Sequence, residues 1–187
     1  MIKKEIRVVG IDDSPFNKFK DRTVLVIATF FRGGSFLDGI MTTRVRVDGI
    51  NSTKKIADML NSSKFNPQVQ ALLLDGIAVG GFNIIDTWKL NRATGTPVIV
   101  IIRNQPDLDK IKRTLKKLGM EKKIKLIDQA GIPERFRKIF FQAFGINQKK
   151  AREILDLTCT RSFIPEPVRC AHLIGAGVVK GESRGRA

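Results

Sequence analysis

Two apolar runs in this chain end in aspartate. "EIRVVGI" (5–11) stops at Asp12 and Asp13, just before Ser14-Pro15, and "VQALLLDG" (69–76) carries Asp75 at its end. In open α/β sheets, ligand sites gather at the carboxyl ends of parallel strands. If these two runs are neighbouring parallel strands, Asp12 and Asp75 lie side by side, and paired buried carboxylates repel unless a cation lies between them. Mg²⁺ and Mn²⁺ are held in this way, by a few carboxylates together with water and phosphate oxygens. Asp13 and Asp48 are candidate further ligands. Asp-Ser-Pro and Asp-Gly are also ordinary turn chemistry, so capping is the competing reading for all of these acids.

The charge balance sets an acidic cleft in a basic protein. The chain has 187 residues, with 34 Lys and Arg against 18 Asp and Glu, a net charge of +16. Such a surface attracts polyanions. Lys112, Arg113, Lys116 and Lys117 form a dense basic stretch that would track a phosphate backbone, or would simply be a solvated helix face. Phe16 and Phe19, interleaved with Lys18 and Lys20, are candidates to stack on bases, with core packing as the alternative. Basic residues that hold nucleic acid and acids that hold a metal together describe a phosphodiester-cutting enzyme.

The elements that must position these residues are legible in outline. Residues 5–11, 23–31 and 36–48 read as three strands in succession, with short connections that favour an antiparallel meander. Asn51-Ser52 then opens a helix over 54–65. Buried strands are expected at 69–76 and 96–104 and helices at 83–91, 107–118, 134–144 and 148–158, with a short strand at 124–127. Gly80-Gly81-Phe82-Asn83 reads as a turn into the 83–91 helix, and Asp86 as a capping residue. From Val178 onward the chain is rich in Gly and Arg and is expected to fray. The sum is one mixed α/β domain over 1–187, with three antiparallel strands followed by parallel ones and helices on both faces. There is no apolar stretch of membrane-spanning length and no secretory pattern, and Cys159 and Cys170 form neither a disulfide framework nor a zinc pattern, so a reduced cytoplasm is expected.

The segments "VVGIDDSPF", "ALLLDGIAVGGFNIID", "GTPVIVIIR" and "FIPEPVRCAHLI" occur in the order seen in endonuclease V. Over about residues 5–175 the chain resembles that family, and more closely an archaeal family, domain of unknown function 99, regarded as endonuclease V-like. "PEPVRCAH" is the most specific piece. The resemblance implies a ribonuclease H-like fold, Mg²⁺ or Mn²⁺ as cofactor, and cleavage of DNA or RNA near inosine. It places Asp12 and Asp75 at the metal-binding aspartates and His172 at the histidine of the late motif, near the metal. The chain also departs from the family. "VRVDGINSTKKIADML" lacks the Pro-Tyr-x-Pro-Gly stretch and the catalytic Glu that follows it, leaving Asp48 as the nearest acid, and the chain contains no Tyr. "VGGFNIID" replaces the family's His-Pro-Arg stretch. Two functions are therefore expected in competition: a metal-dependent nuclease, and a non-catalytic nucleic-acid binder with a degenerate metal site.

Overall fold

The computed structural model describes residues 2–183. Three strands, β1 (Arg7–Asp13), β2 (Thr23–Arg32) and β3 (Phe36–Arg46), form the antiparallel meander that the sequence predicts. Helix α1 (Ser52–Asn61) follows, then β4 (Ala71–Asp75), a small hairpin of β5 (Ala78–Val79) and β6 (Asn83–Ile84), and helix α2 (Thr87–Thr94). Strand β7 (Val98–Ile102) leads to α3 (Leu108–Lys117), α4 (Ile124–Ala130), the hairpin β8 (Glu134–Phe136) and β9 (Ile139–Phe144), and finally α5 (Gln148–Thr158) and α6 (Glu166–Lys180).

The main sheet has the order β3-β2-β1-β4-β7-β9-β8. β4 lies parallel to β1, and β7 parallel to β4. One face of the sheet packs on Ile56 and Leu60 of α1 and Leu90 of α2. The other packs on Ile154 and Leu155 of α5 and Val168 of α6. Both faces are thus covered, which is why β4 and β7 are apolar throughout rather than alternating. Among the described residues, no helix is long and apolar enough to cross a membrane.

Four local expectations are corrected. Residues 134–144 are a hairpin, not a helix. "ERFRKIFFQAF" fits a helical period, but it is rich in aromatic residues suited to a strand, and Arg137 takes φ 53° at its turn. Residues 124–127 open α4 rather than a strand: Ile124 and Ile127 share one helical face against Leu115 and Ile84. Gly80-Gly81 closes the β5–β6 hairpin, and α2 starts only at Thr87, where the Asp86 carboxylate accepts from Lys89 N at 2.8 Å. The chain does not fray at Val178; α6 runs to Lys180, where Gly181 adopts a left-handed cap. The rest of the expected tail, residues 184–187, lies outside the described residues.

Candidate metal centre

Strand register places the first two acids. Ile11 pairs with Leu74 across the parallel β1–β4 ladder, so Asp12 and Asp75 emerge together at the same sheet edge. The third member comes from α6. Gly10 lets this helix approach β1 directly, because a Cβ there would overlap the backbone of Pro167 and Val168. Thr29 Oγ1 donates to the Pro167 carbonyl at 2.7 Å and pins the same point. From there the helix runs along the strand to Gly175, which packs on Ser14. Four strand residues rise about 13 Å and eight helical residues about 12 Å, so the two elements stay in step. His172 therefore falls beside Asp12, with Nδ1 2.9 Å from Asp12 Oδ2.

One ligand atom each from Asp12, Asp75 and His172 lie within 4.8 Å of one another. Asp12 is buried, and its carboxyl is pushed up to about 7, first by that burial and further by Asp75 and Asp13, against the hydrogen bond from His172. The imidazole is raised in turn, chiefly by the hydrogen bond to Asp12. Two carboxylates and an imidazole that converge at one spot form a donor set that fits a hard divalent cation.

Arg103, at the end of β7, is a residue that sequence reasoning missed. Its Nη2 lies 2.6 Å from Asp75 Oδ2. Burial pulls the guanidinium down, but Asp75 outweighs it and holds the group above its ordinary value. The signal was present, since an apolar strand ending in a cation lies beside one ending in an acid. The four residues line a shared open cavity with Phe16, whose ring is partly buried and packs toward the core.

Of the remaining candidates, Asp13 lines the same cavity but its carboxylate is engaged elsewhere, and the others lie apart from it. Asp13 Oδ2 accepts from Gly80 N at 2.8 Å and ties down the β5–β6 hairpin, and burial raises its carboxyl too. Asp48 takes φ 52°, and its Oδ1 accepts from Phe82 N at 2.7 Å. It is not among the three residues whose potential ligand atoms converge within 4.8 Å. Lys18 reaches Asp48 at 3.7 Å and lies over the Phe82 ring. Lys123, almost fully buried, donates to the carbonyls of Asp48, Gly49 and Phe82 at 2.7, 2.9 and 2.7 Å. Where the endonuclease V pattern has its catalytic Glu, this chain thus has a latch of hydrogen bonds. Lys112 pairs with Asp128 at 2.6 Å, while Arg113, Lys116 and Lys117 are exposed on α3.

The architecture is matched by solved structures. A crystal structure of a protein of unknown function from Archaeoglobus fulgidus superposes with a TM-score of 0.87 at 31% identity, covering 93% of this chain and 98% of that one. Ciona intestinalis endonuclease V, in complex with a 24mer DNA containing an inosine followed by a ribo-adenosine, superposes with a TM-score of 0.57 at 17% identity, covering 89% and 82%. The fold is therefore of the ribonuclease H-like class to which endonuclease V belongs. The family model for endonuclease dU matches residues 4–179, and the chain belongs to that family. A UPF0215 protein of Methanothermobacter thermautotrophicus is 46% identical over all of this chain and 94% of its own length. One from Methanosarcina barkeri is 43% identical over all of this chain and 97% of its own.

Proposed function

We propose that this protein is a divalent-metal-dependent endonuclease acting on nucleic acid that carries a deaminated base. The observation that carries the reading is the convergence of Asp12, Asp75 and His172 within 4.8 Å at the edge of the sheet. Asp12 and Asp75 would hold Mg²⁺ or Mn²⁺, which when bound would supply a polarised water and charge stabilisation at the phosphate. Asp12 is ionised to act as ligand. His172, hydrogen-bonded to Asp12, accepts or returns a proton beside the reacting phosphate. Arg103 orients Asp75 and adds positive charge where the phosphate would sit. Arg113, Lys116, Lys117 and the turn carrying Lys18 and the exposed Phe19 hold the strand.

The family description supports deoxyuridine as the modified nucleoside. The DNA bound to the Ciona protein makes inosine the second candidate. The test is Mn²⁺-dependent cleavage of single-stranded and duplex oligonucleotides containing deoxyuridine, inosine or neither, by wild type and Asp75→Asn. Cleavage lost in the variant supports the reading; equal cleavage in both, or none in either, refutes it.

One observation favours a second reading. The Arg103–Asp75 pair already neutralises an acid of the site, as in a non-catalytic nucleic-acid binder whose metal site has lapsed. That protein would bind with steep salt dependence and turn nothing over in Mn²⁺.

A further inference from the structure

Strand β3 forms one edge of the main sheet and has 11 residues, whereas β8 at the other edge has 3. Just past β3, in step with the β2–β3 register, Val47 donates to the Arg22 carbonyl at 3.0 Å. Odd-numbered residues of β3 therefore bond toward β2, and from Ile40 to Arg46 the even-numbered ones aim N–H and C=O away from the sheet. At Arg46 both outward groups are taken by side chains. Its N–H donates to Asn51 Oδ1 at 3.1 Å, and its carbonyl accepts from Asn83 Nδ2 at 2.8 Å. At the other end a bulge leaves Asp38 with no partner on β2. Between these two stops the backbone groups of Ile40, Thr42 and Arg44 make no hydrogen bond among the described residues beyond β3. An open run on a sheet edge is a template for another strand, and bulges, prolines and charges are the usual guards against it. Here the guards stand only at the ends.

The side chains of this run fit a second copy of the same strand. Ile40, Thr42 and Arg44 are all exposed. Charge is polarised along β3: its single acid, Asp38, lies near the start, and Arg44 and Arg46 lie at the end. A parallel copy would set like charge beside like, and an antiparallel copy reverses the order. Aligned antiparallel on Thr42, the open residues of both copies pair completely, Ile40 with Arg44, Thr42 with Thr42 and Arg44 with Ile40. Asp38 of each copy then comes beside Arg46 of the other, and the stem of each Arg44 lies against the other Ile40. A shift of two residues either way sets an open residue against the bulge or against the capped Arg46. Phe36 and Leu37, 56% and 39% exposed, continue the edge with apolar surface, which suits a protein partner better than a phosphate backbone.

We propose that the protein self-associates through β3 as a symmetric dimer, the two main sheets joining into one across Thr42. This pairing does not depend on the nuclease reading. Asp12 pairs with Ile27 and Ile27 with Thr42, so the two Asp12 residues lie on one row through the axis. Two strand spacings within each sheet and one across the axis separate them by about 24 Å, with both metal centres on the same face of the joined sheet.

The test is sedimentation equilibrium of the full chain, free of nucleic acid, over a concentration series. Wild type is expected to reach twice the monomer mass of 20.9 kDa. Thr42→Lys, which sets two ammonium groups against each other on the axis, is expected to stay monomeric. Thr42→Cys is expected to form a disulfide-linked dimer on mild oxidation, since Cα atoms of a hydrogen-bonded antiparallel pair lie about 5.5 Å apart. Arg44→Cys, which faces Ile40 of the other copy, is expected to cross-link no more than wild type. Should Thr42→Lys fail to fold, the two cysteine variants decide the matter. A wild type that is monomeric throughout overturns the proposal, as does a dimer that persists in folded Thr42→Lys. Equal cross-linking of Thr42→Cys and Arg44→Cys overturns it too. A monomeric wild type that loses affinity for oligo-dT in Arg44→Ala overturns it in favour of a nucleic-acid track along this edge.

Discussion

His172 Nδ1 lies 2.9 Å from Asp12 Oδ2 across 160 residues of sequence. This contact joins the first strand to the last helix, and it leaves a buried acid and an imidazole competing for protons. Metal binding must displace protons from this pair. The Asp12 carboxyl, raised to about 7, stays largely protonated below neutrality in the metal-free protein. Apparent Mn²⁺ affinity should therefore climb about tenfold per pH unit below 7 and level off above it. Isothermal titration at pH 5.5 to 8.5 in buffers of different ionisation enthalpy measures both the affinity and the protons released.

The same shift acts on folding. A carboxyl raised in the folded state binds more protons there than in the unfolded chain, so its contribution is complete below about pH 4 and is lost as pH rises through 7. Metal-free Asp12→Asn escapes that loss. It should match or slightly trail wild type at pH 4 and exceed it by about 2–4 kcal/mol at pH 8. Its melting temperature should no longer respond to Mn²⁺. Urea denaturation at the two pH values, with and without Mn²⁺, checks each part.

Arg103 stands in for a cation at Asp75. Arg103→Ala should destabilise the metal-free protein by about 1–2 kcal/mol, because Asp75 loses its partner in a partly screened setting. Mn²⁺ should recover most of that deficit, since the ion takes over the charge. Denaturation midpoints with and without Mn²⁺ test this, and a deficit unchanged by Mn²⁺ would argue against ion binding at Asp75.

The seating of α6 on β1 gives a paired test. Gly10→Ala drives a methyl group into the Pro167 backbone and should cost about 3 kcal/mol or more, with loss of the Mn²⁺-induced rise in melting temperature. Gly177→Ala, on the same helix, meets nothing within 4 Å and should stabilise by about 0.5–1 kcal/mol. Thermal melts of the two proteins separate packing at this seam from general effects of substituting glycine.

The sequence carries the site's two acids because each follows an apolar stretch, Val8–Ile11 or Ala71–Leu74, that stops abruptly at charge. Asp12 and Asp75 are legible for that reason. His172 was found through the resemblance of "PEPVRCAH", since a single histidine on a helix gives no periodic signal. Asp48 misled, because an acid in a turn looks alike whether it binds a metal or, as here, the Phe82 amide. The β8–β9 hairpin escaped notice because aromatic residues spaced at three and four suit a helix as well as a strand, and only pairing with β7 decides between them. The latch at Lys123 was equally hidden, since burial of one lysine within a basic run depends wholly on tertiary contacts.

The close seam between Gly10 and α6 also bears on when activity can arise as the chain is made. Strand β1 leaves the ribosome early and His172 follows 160 residues after Asp12. At roughly 5–20 residues per second, Asp12 waits about 8–32 s for its imidazole. Until α6 settles against Gly10, a nascent chain holds two acids and Arg103 but no complete centre. A protein proposed to cut nucleic acid would thus complete its centre only after α6 has been made.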